Sequence, residues 1–180
     1  MKPKIVNFYG GPGAGKSTSA AATFALLKHR KVNCELIQEF VKEAAWEKRS
    51  KKIFEAQDYL FGKQHFRLIQ VQDDVDIIVT DSPLILGCAY ISPDYPLPSL
   101  KNVIKEAYHC YDNLDIFLTR VTEYNPAGRN QTGEEAIELD LVVKNVLNEN
   151  NINYHEVKAD ENAADNVVKI MQMKWPELFK

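Results

Sequence analysis

Eight consecutive residues near the amino terminus, Gly10 to Ser17, have the types and spacing needed to hold a phosphate chain. Gly10 is followed by Gly11, Pro12, Gly13 and Ala14, then by Gly15, Lys16, Ser17 and Thr18. This fits G-x-x-x-x-G-K-[ST], the Walker A pattern. Glycine suits such a loop because wrapping a phosphate takes torsions and close approaches that a Cβ forbids. The backbone N–H groups then converge on the anion at the start of a helix, whose dipole favours negative charge. There the Lys16 ammonium reaches the β- and γ-phosphates, and the Ser17 hydroxyl ligates Mg2+. A nucleoside triphosphate, ATP in the first instance, is the expected ligand, with Mg2+ as its companion.

Other groups stand where a triphosphate could meet an acceptor. Asp81 closes the apolar run Ile77-Ile78-Val79-Thr80, the position from which a strand-end carboxylate joins Ser17 in holding Mg2+. The bland reading of Asp81 is a helix cap before a Pro-containing turn. Glu39 follows the run that ends at Ile37; a carboxylate there can take the proton of an attacking hydroxyl, or hydrogen-bond a sugar or base. Arg120 and Arg129 frame Val121 to Asn130, and Tyr124-Asn125-Pro126-Ala127-Gly128 has turn chemistry that suits a hinged flap. Arginines on such a flap stabilise the charge of a transferring phosphoryl group and shut out water. Gln64 and Arg67 share a helical pattern whose spacing aims them at a base edge or an acceptor phosphate; a solvent-facing polar stripe is the alternative. Phe40, Trp46 and Tyr124 could stack on a base. No paired nucleophile and base stands out, so covalent catalysis is not expected.

The elements that must position these groups alternate between strand and helix, which argues an α/β fold around a mainly parallel sheet. Strands are expected at Lys4–Tyr9, Val32–Ile37, Ile77–Thr80, Asp115–Thr119 and Tyr154–Val157. Helices are expected at 16–29, 41–46, 54–70, 100–110, 134–147 and 163–173. Ile77 to Thr80 is continuously apolar, as for a parallel strand covered on both faces. The stretch 121–132 reads as a mobile lid. Five strands with intervening helices make one doubly wound domain over residues 1–180. In such sheets ligands bind beyond the carboxyl ends of the strands, where Gly10, Glu39, Asp81 and Arg120 gather.

Composition narrows the function classes. At 180 residues the chain can bury a real core, and a net charge of −3 gives no bulk attraction to duplex DNA or an anionic membrane. Three widely spaced cysteines, Cys34, Cys88 and Cys110, form neither a disulfide framework nor a metal-ligand pattern. They read as reduced thiols. With no signal peptide and no membrane-length apolar run, the expected location is the cytoplasm.

With these residues in view, the chain resembles small P-loop kinases. The resemblance rests on GGPGAGKST, Gln38-Glu39-Phe40-Val41, the run Gln64 to Asp81-Ser82-Pro83-Leu84, and Tyr124-Asn125-Pro126-Ala127-Gly128-Arg129-Asn130-Gln131. Nucleoside and nucleotide kinases are the general likeness. The particular likeness is to the ATPase-like P-loop kinases of bacteriophages, including some that phosphorylate hydroxymethylated bases in DNA. The resemblance implies a P-loop NTPase sheet in the order 2-3-1-4-5 and transfer of the γ-phosphoryl group of ATP. It casts Glu39 as the acceptor-side carboxylate and Arg120 and Arg129 as lid arginines. Asp81 departs from the deoxynucleoside kinase pattern, because Ser82-Pro83 follows it where an arginine is usual. The acceptor therefore stays open between a nucleoside-like or nucleotide-like small molecule and a modified base in DNA. A nucleotide-dependent switch or interaction protein with slow hydrolysis is the competing class, and a homodimer is left open.

Overall fold

The computed structural model describes residues 2–47, 52–121 and 133–179. Its five strands are β1 (Lys4–Tyr9), β2 (Cys34–Ile37), β3 (Ile77–Thr80), β4 (Asp112–Thr119) and β5 (His155–Lys158). The helices are α1 (Lys16–His29), α2 (Phe40–Trp46), α3 (Lys52–Glu55), α4 (Gln57–Ile69), α5 (Leu100–His109), α6 (Gly133–Glu149) and α7 (Ala163–Lys174). Every pairing is parallel and the order is β2-β3-β1-β4-β5, as the sequence implied. Among the described residues no helix is long and apolar enough to cross a membrane.

Strand alternation sorts the core into two layers. Val6 and Phe8 of β1 and Leu114, Ile116 and Leu118 of β4 face one way, against α1 and α7 through Ala20, Leu27, Val167 and Met171. Ile5 of β1 and Ile78 of β3 face the other way, with Leu68 of α4 and Ala107 of α5. On that same side Tyr9 and Phe117 pack with Ile104 of α5 and Val143 and Leu147 of α6. Register then decides what meets at the carboxyl edge. Ile37 and Asn7 both pair with Thr80, so Glu39, Gly10 and Asp81 leave the sheet side by side.

β4 begins at Asp112, three residues before the expected start, because Asp112 to Leu114 pair with Lys4 to Val6. Its polar start misled the pattern; the side chains are held by partners from distant segments. Asp112 accepts from the Trp175 indole at 2.7 Å, and Asn113 Oδ1 accepts from Asn7 at 2.9 Å. The apolar run after Pro83 also winds into a 3-10 helix, Leu84–Ala89.

Beneath the phosphate loop lies a buried polar knot. Asp115 is 4% exposed. Its Oδ1 accepts from the Tyr9 hydroxyl at 2.7 Å and from Asn7 Nδ2 at 3.0 Å, and its Oδ2 accepts from the Tyr108 hydroxyl at 2.8 Å. Burial pushes the carboxyl above its ordinary range while these donors pull it down. Tyr9 immediately precedes Gly10, so the knot anchors the root of the loop. Asp115→Ala would leave the Tyr9 and Tyr108 hydroxyls without their acceptor, each costing about 1–3 kcal/mol, while the Asn7 amide keeps Asn113. The expected loss in a denaturant melt is about 2–5 kcal/mol.

Candidate functional site

The loop from β1 to α1 is built by left-handed glycines. Gly13 has φ 76° and Gly15 has φ 92°. A Cβ on Gly15 would also stand 3.0 Å from that of Ala159. Gly15 is the N-cap of α1, which has no side-chain cap and no acidic residue in its first turn. Its leading amides therefore have no intrahelical acceptor, and the dipole adds positive potential. Lys16 Nζ donates to the carbonyls of Gly10 at 2.7 Å and Gly11 at 3.1 Å. Burial lowers the Lys16 pKa, opposed by the carboxylates of Glu39, Asp81 and Asp140. Orphan amides, a helix dipole and a desolvated ammonium together fit a phosphate chain.

The ends of β2 and β3 are tied together. The Thr80 hydroxyl donates to the Ile37 carbonyl at 2.8 Å, and the Glu39 N–H donates to Asp81 Oδ1 at 3.0 Å. Asp81 is 3% exposed. Glu39 keeps part of its surface open, yet burial raises its pKa, and the Lys16 ammonium offsets that rise. A strand-end carboxylate, a second carboxylate and an ammonium thus face one cleft.

Gln64 and Arg67 brace this segment from α4. The buried Gln64 amide accepts from Phe40 N–H at 3.1 Å and donates to the Gln38 carbonyl at 3.4 Å. Arg67 donates to the Gln38 carbonyl at 3.2 Å, pairs with Glu43, and lies over the Phe40 ring at 5.2 Å. Phe40 is buried, edge-on to Tyr59. Gln64→Ala should therefore cost about 1–3 kcal/mol of stability in a denaturant melt, since the buried Phe40 N–H loses the Gln64 acceptor while the Gln38 carbonyl keeps Arg67. Trp46 lies on α2, but its side chain falls outside the described residues, as do Tyr124, Arg129 and the lid at 122–132.

Arg120 follows β4 and lies on the loop. Its Nη1 donates to the Pro12 carbonyl at 2.8 Å and its Nε donates to Asp140 Oδ2 at 2.7 Å. Asp140 also accepts the Gly11 N–H. Sequence reasoning missed Asp140, although a signal was present. On α6, residue 140 shares a face with the buried Ala136, Val143 and Leu147, and a carboxylate on an apolar stripe needs a partner. Tyr90 was missed as well. It follows the 3-10 helix, is 44% exposed, and has its hydroxyl pushed up to about 12 by burial, with Glu39 and Asp140 adding to the rise.

Comparison with known proteins agrees with the fold. A family model described as an AAA domain matches residues 5–163. No curated protein matches the chain. Among solved structures it is similar to one described as the NadR protein in complex with NR, with a TM-score of 0.71 and 16% identity over 93% of this chain. The match covers 51% of that other chain, so this protein spans about half the length of the one it resembles. At that identity the likeness carries the fold alone: a five-stranded P-loop NTPase sheet.

Proposed function

The chain belongs to the AAA domain family of P-loop NTPases, and on that premise we propose that it is an ATP- and Mg2+-dependent phosphotransferase acting on a nucleoside-like or nucleotide-like acceptor. The observation that supports this reading is the convergence of Lys16, Glu39 and Asp81 at one edge of the sheet, with Glu39 bonded through its N–H to Asp81. A carboxylate beside the loop lysine can take the proton of an attacking hydroxyl, and a panel of acceptors distinguishes an acceptor's hydroxyl from that of water.

In this reading the residues Gly11 to Thr18 take the triphosphate. Lys16 turns from the Gly10 and Gly11 carbonyls to the β- and γ-oxygens. Ser17 and Asp81 would hold Mg2+, which when bound neutralises charge on the phosphate oxygens. The Glu39 carboxylate orients the acceptor hydroxyl and takes its proton as the oxygen joins the γ-phosphorus; the bond from that phosphorus to the β-bridging oxygen breaks and ADP leaves. Arg120, with Arg129 from the lid, offsets the charge that develops. Trp46 and Tyr124 are the aromatic groups assigned to stack on an acceptor base, Phe40 being buried, and Gln64 and Arg67 hold the main chain beside Glu39 in place.

The direct test offers labelled ATP and Mg2+ with a panel of nucleosides, nucleoside monophosphates and hydroxymethyl-base DNA. Label is expected on at least one small acceptor, with none above background in a Lys16→Ala control. Hydrolysis stimulated only by a protein partner, with no phosphorylated acceptor formed, would refute the proposal. Labelling confined to DNA, steeply weakened by salt, would move the acceptor to the polymer.

A further inference from the structure

We infer that Asp140 is a positioning residue for phosphoryl transfer, holding Arg120 and the second glycine of the phosphate loop in fixed relation; the inference rests on the phosphotransferase reading. Four hydrogen bonds converge here. Asp140 Oδ1 accepts the Gly11 N–H, and Oδ2 accepts Arg120 Nε at 2.7 Å. The other two guanidinium nitrogens reach the Pro12 carbonyl at 2.8 Å and the Ala136 carbonyl at 3.2 Å. α6 presses directly on the loop: a Cβ at Gly11 would stand 2.6 Å from the Ala136 carbonyl oxygen and 3.0 Å from both Arg120 Nη2 and Asp140 Oδ1.

An exposed ion pair in this place would carry little, because water screens it and two long side chains lose freedom in making it. This pair differs in that each side chain is only 17% exposed and the carboxylate is shared with a loop amide. Its effect separates into two parts of opposite sign. As a charge, Asp140 opposes a triphosphate. As a fork, it fixes the guanidinium and the loop in one geometry, and misplacement of such a group by about 1 Å can cost roughly 100-fold in rate. Loss of the carboxylate should therefore leave nucleotide affinity intact or tighter while slowing transfer. A residue that only supported the fold would weaken both.

The test compares wild type, Asp140→Asn, Arg120→Ala and the double variant by calorimetry with Mg-ATP and by single-turnover loss of the γ-phosphoryl group to acceptor or water. Asparagine keeps one acceptor and turns an NH2 toward the other donor. Asp140→Asn is expected to slow turnover about 10–100-fold with a Kd no weaker than wild type. The double variant should be no slower than Arg120→Ala alone, because Asp140 acts largely through that arginine. Asp140→Glu, which keeps both acceptors on a longer arm, should be intermediate, and it carries the test if melting shows that Asp140→Asn has not folded. Wild-type turnover in Asp140→Asn, a loss confined to Kd, or losses that multiply with those of Arg120→Ala would each overturn the inference. Failure of the wild type to bind Mg-ATP would overturn the underlying reading as well, so the two failures are distinguishable.

Discussion

Lys16→Ala is expected to abolish phosphoryl transfer, lowering kcat/KM by about 1,000-fold or more. The size follows from what surrounds the ammonium. Glu39, Asp81 and Asp140 all bear on it, and Arg120 is the cation that shares the space. Without Lys16 the cleft would present three carboxylates against one guanidinium that is already engaged by Asp140. A triphosphate would then meet like charge in a poorly solvated site, where each interaction counts for more than in water. Calorimetry should show Mg-ATP affinity falling by at least about tenfold alongside the rate. Folding should survive, because both acceptors of the ammonium are carbonyls of the loop itself, those of Gly10 and Gly11. A melting midpoint near wild type, together with lost binding, would place the effect in the site. Undiminished binding of Mg-ATP by Lys16→Ala would remove the basis of the proposed function.

The parts of this molecule that were readable from its sequence are those fixed by local chemistry. The glycine pattern from Gly10 to Gly15 needs only local torsions, and its strand and helix flanks follow from apolar periodicity. β3 was legible because Ile77, Ile78 and Val79, covered on both faces, show no polar alternation to confuse the pattern. What escaped depends on partners far away in the chain. Asp112 and Asn113 look like loop residues until Trp175 and Asn7 are seen to satisfy them inside β4. Gln64 looked like a cleft residue because its spacing gives a face, whereas its bonds to Gln38 and Phe40 depend on where β2 ends. Asp140 reaches Gly11 across 129 positions, a separation at which no spacing rule operates. Strand order could be inferred from family likeness, but the pairing that sets Glu39 beside Asp81 is a matter of register, which one sequence does not display.

Glu39→Gln is expected to reduce kcat/KM by about 100- to 10,000-fold while leaving the fold and the triphosphate site in place. The substitution is clean for a structural reason: the bond to Asp81 comes from the Glu39 backbone N–H, so glutamine keeps it. It also removes one of the negative charges near Lys16, so Mg-ATP affinity should stay constant or tighten even as turnover falls. The pH dependence carries the sharper test. Burial raises the Glu39 pKa, and Lys16 only partly restores it. A base must be ionised to accept a proton, so wild-type kcat/KM should rise with pH along an acid limb lying above about 4.3, the ordinary glutamate value. Below that limb the rate should fall about tenfold per pH unit, because the protonated fraction grows as pH drops. Glutamine cannot titrate, and the limb should vanish from the residual activity of Glu39→Gln. If the limb persists unchanged in that variant, the proton goes to another carboxylate. Asp81, bonded to the same backbone N–H and buried beside it, would then be the group to replace, and Glu39 would be left holding the acceptor rather than activating it.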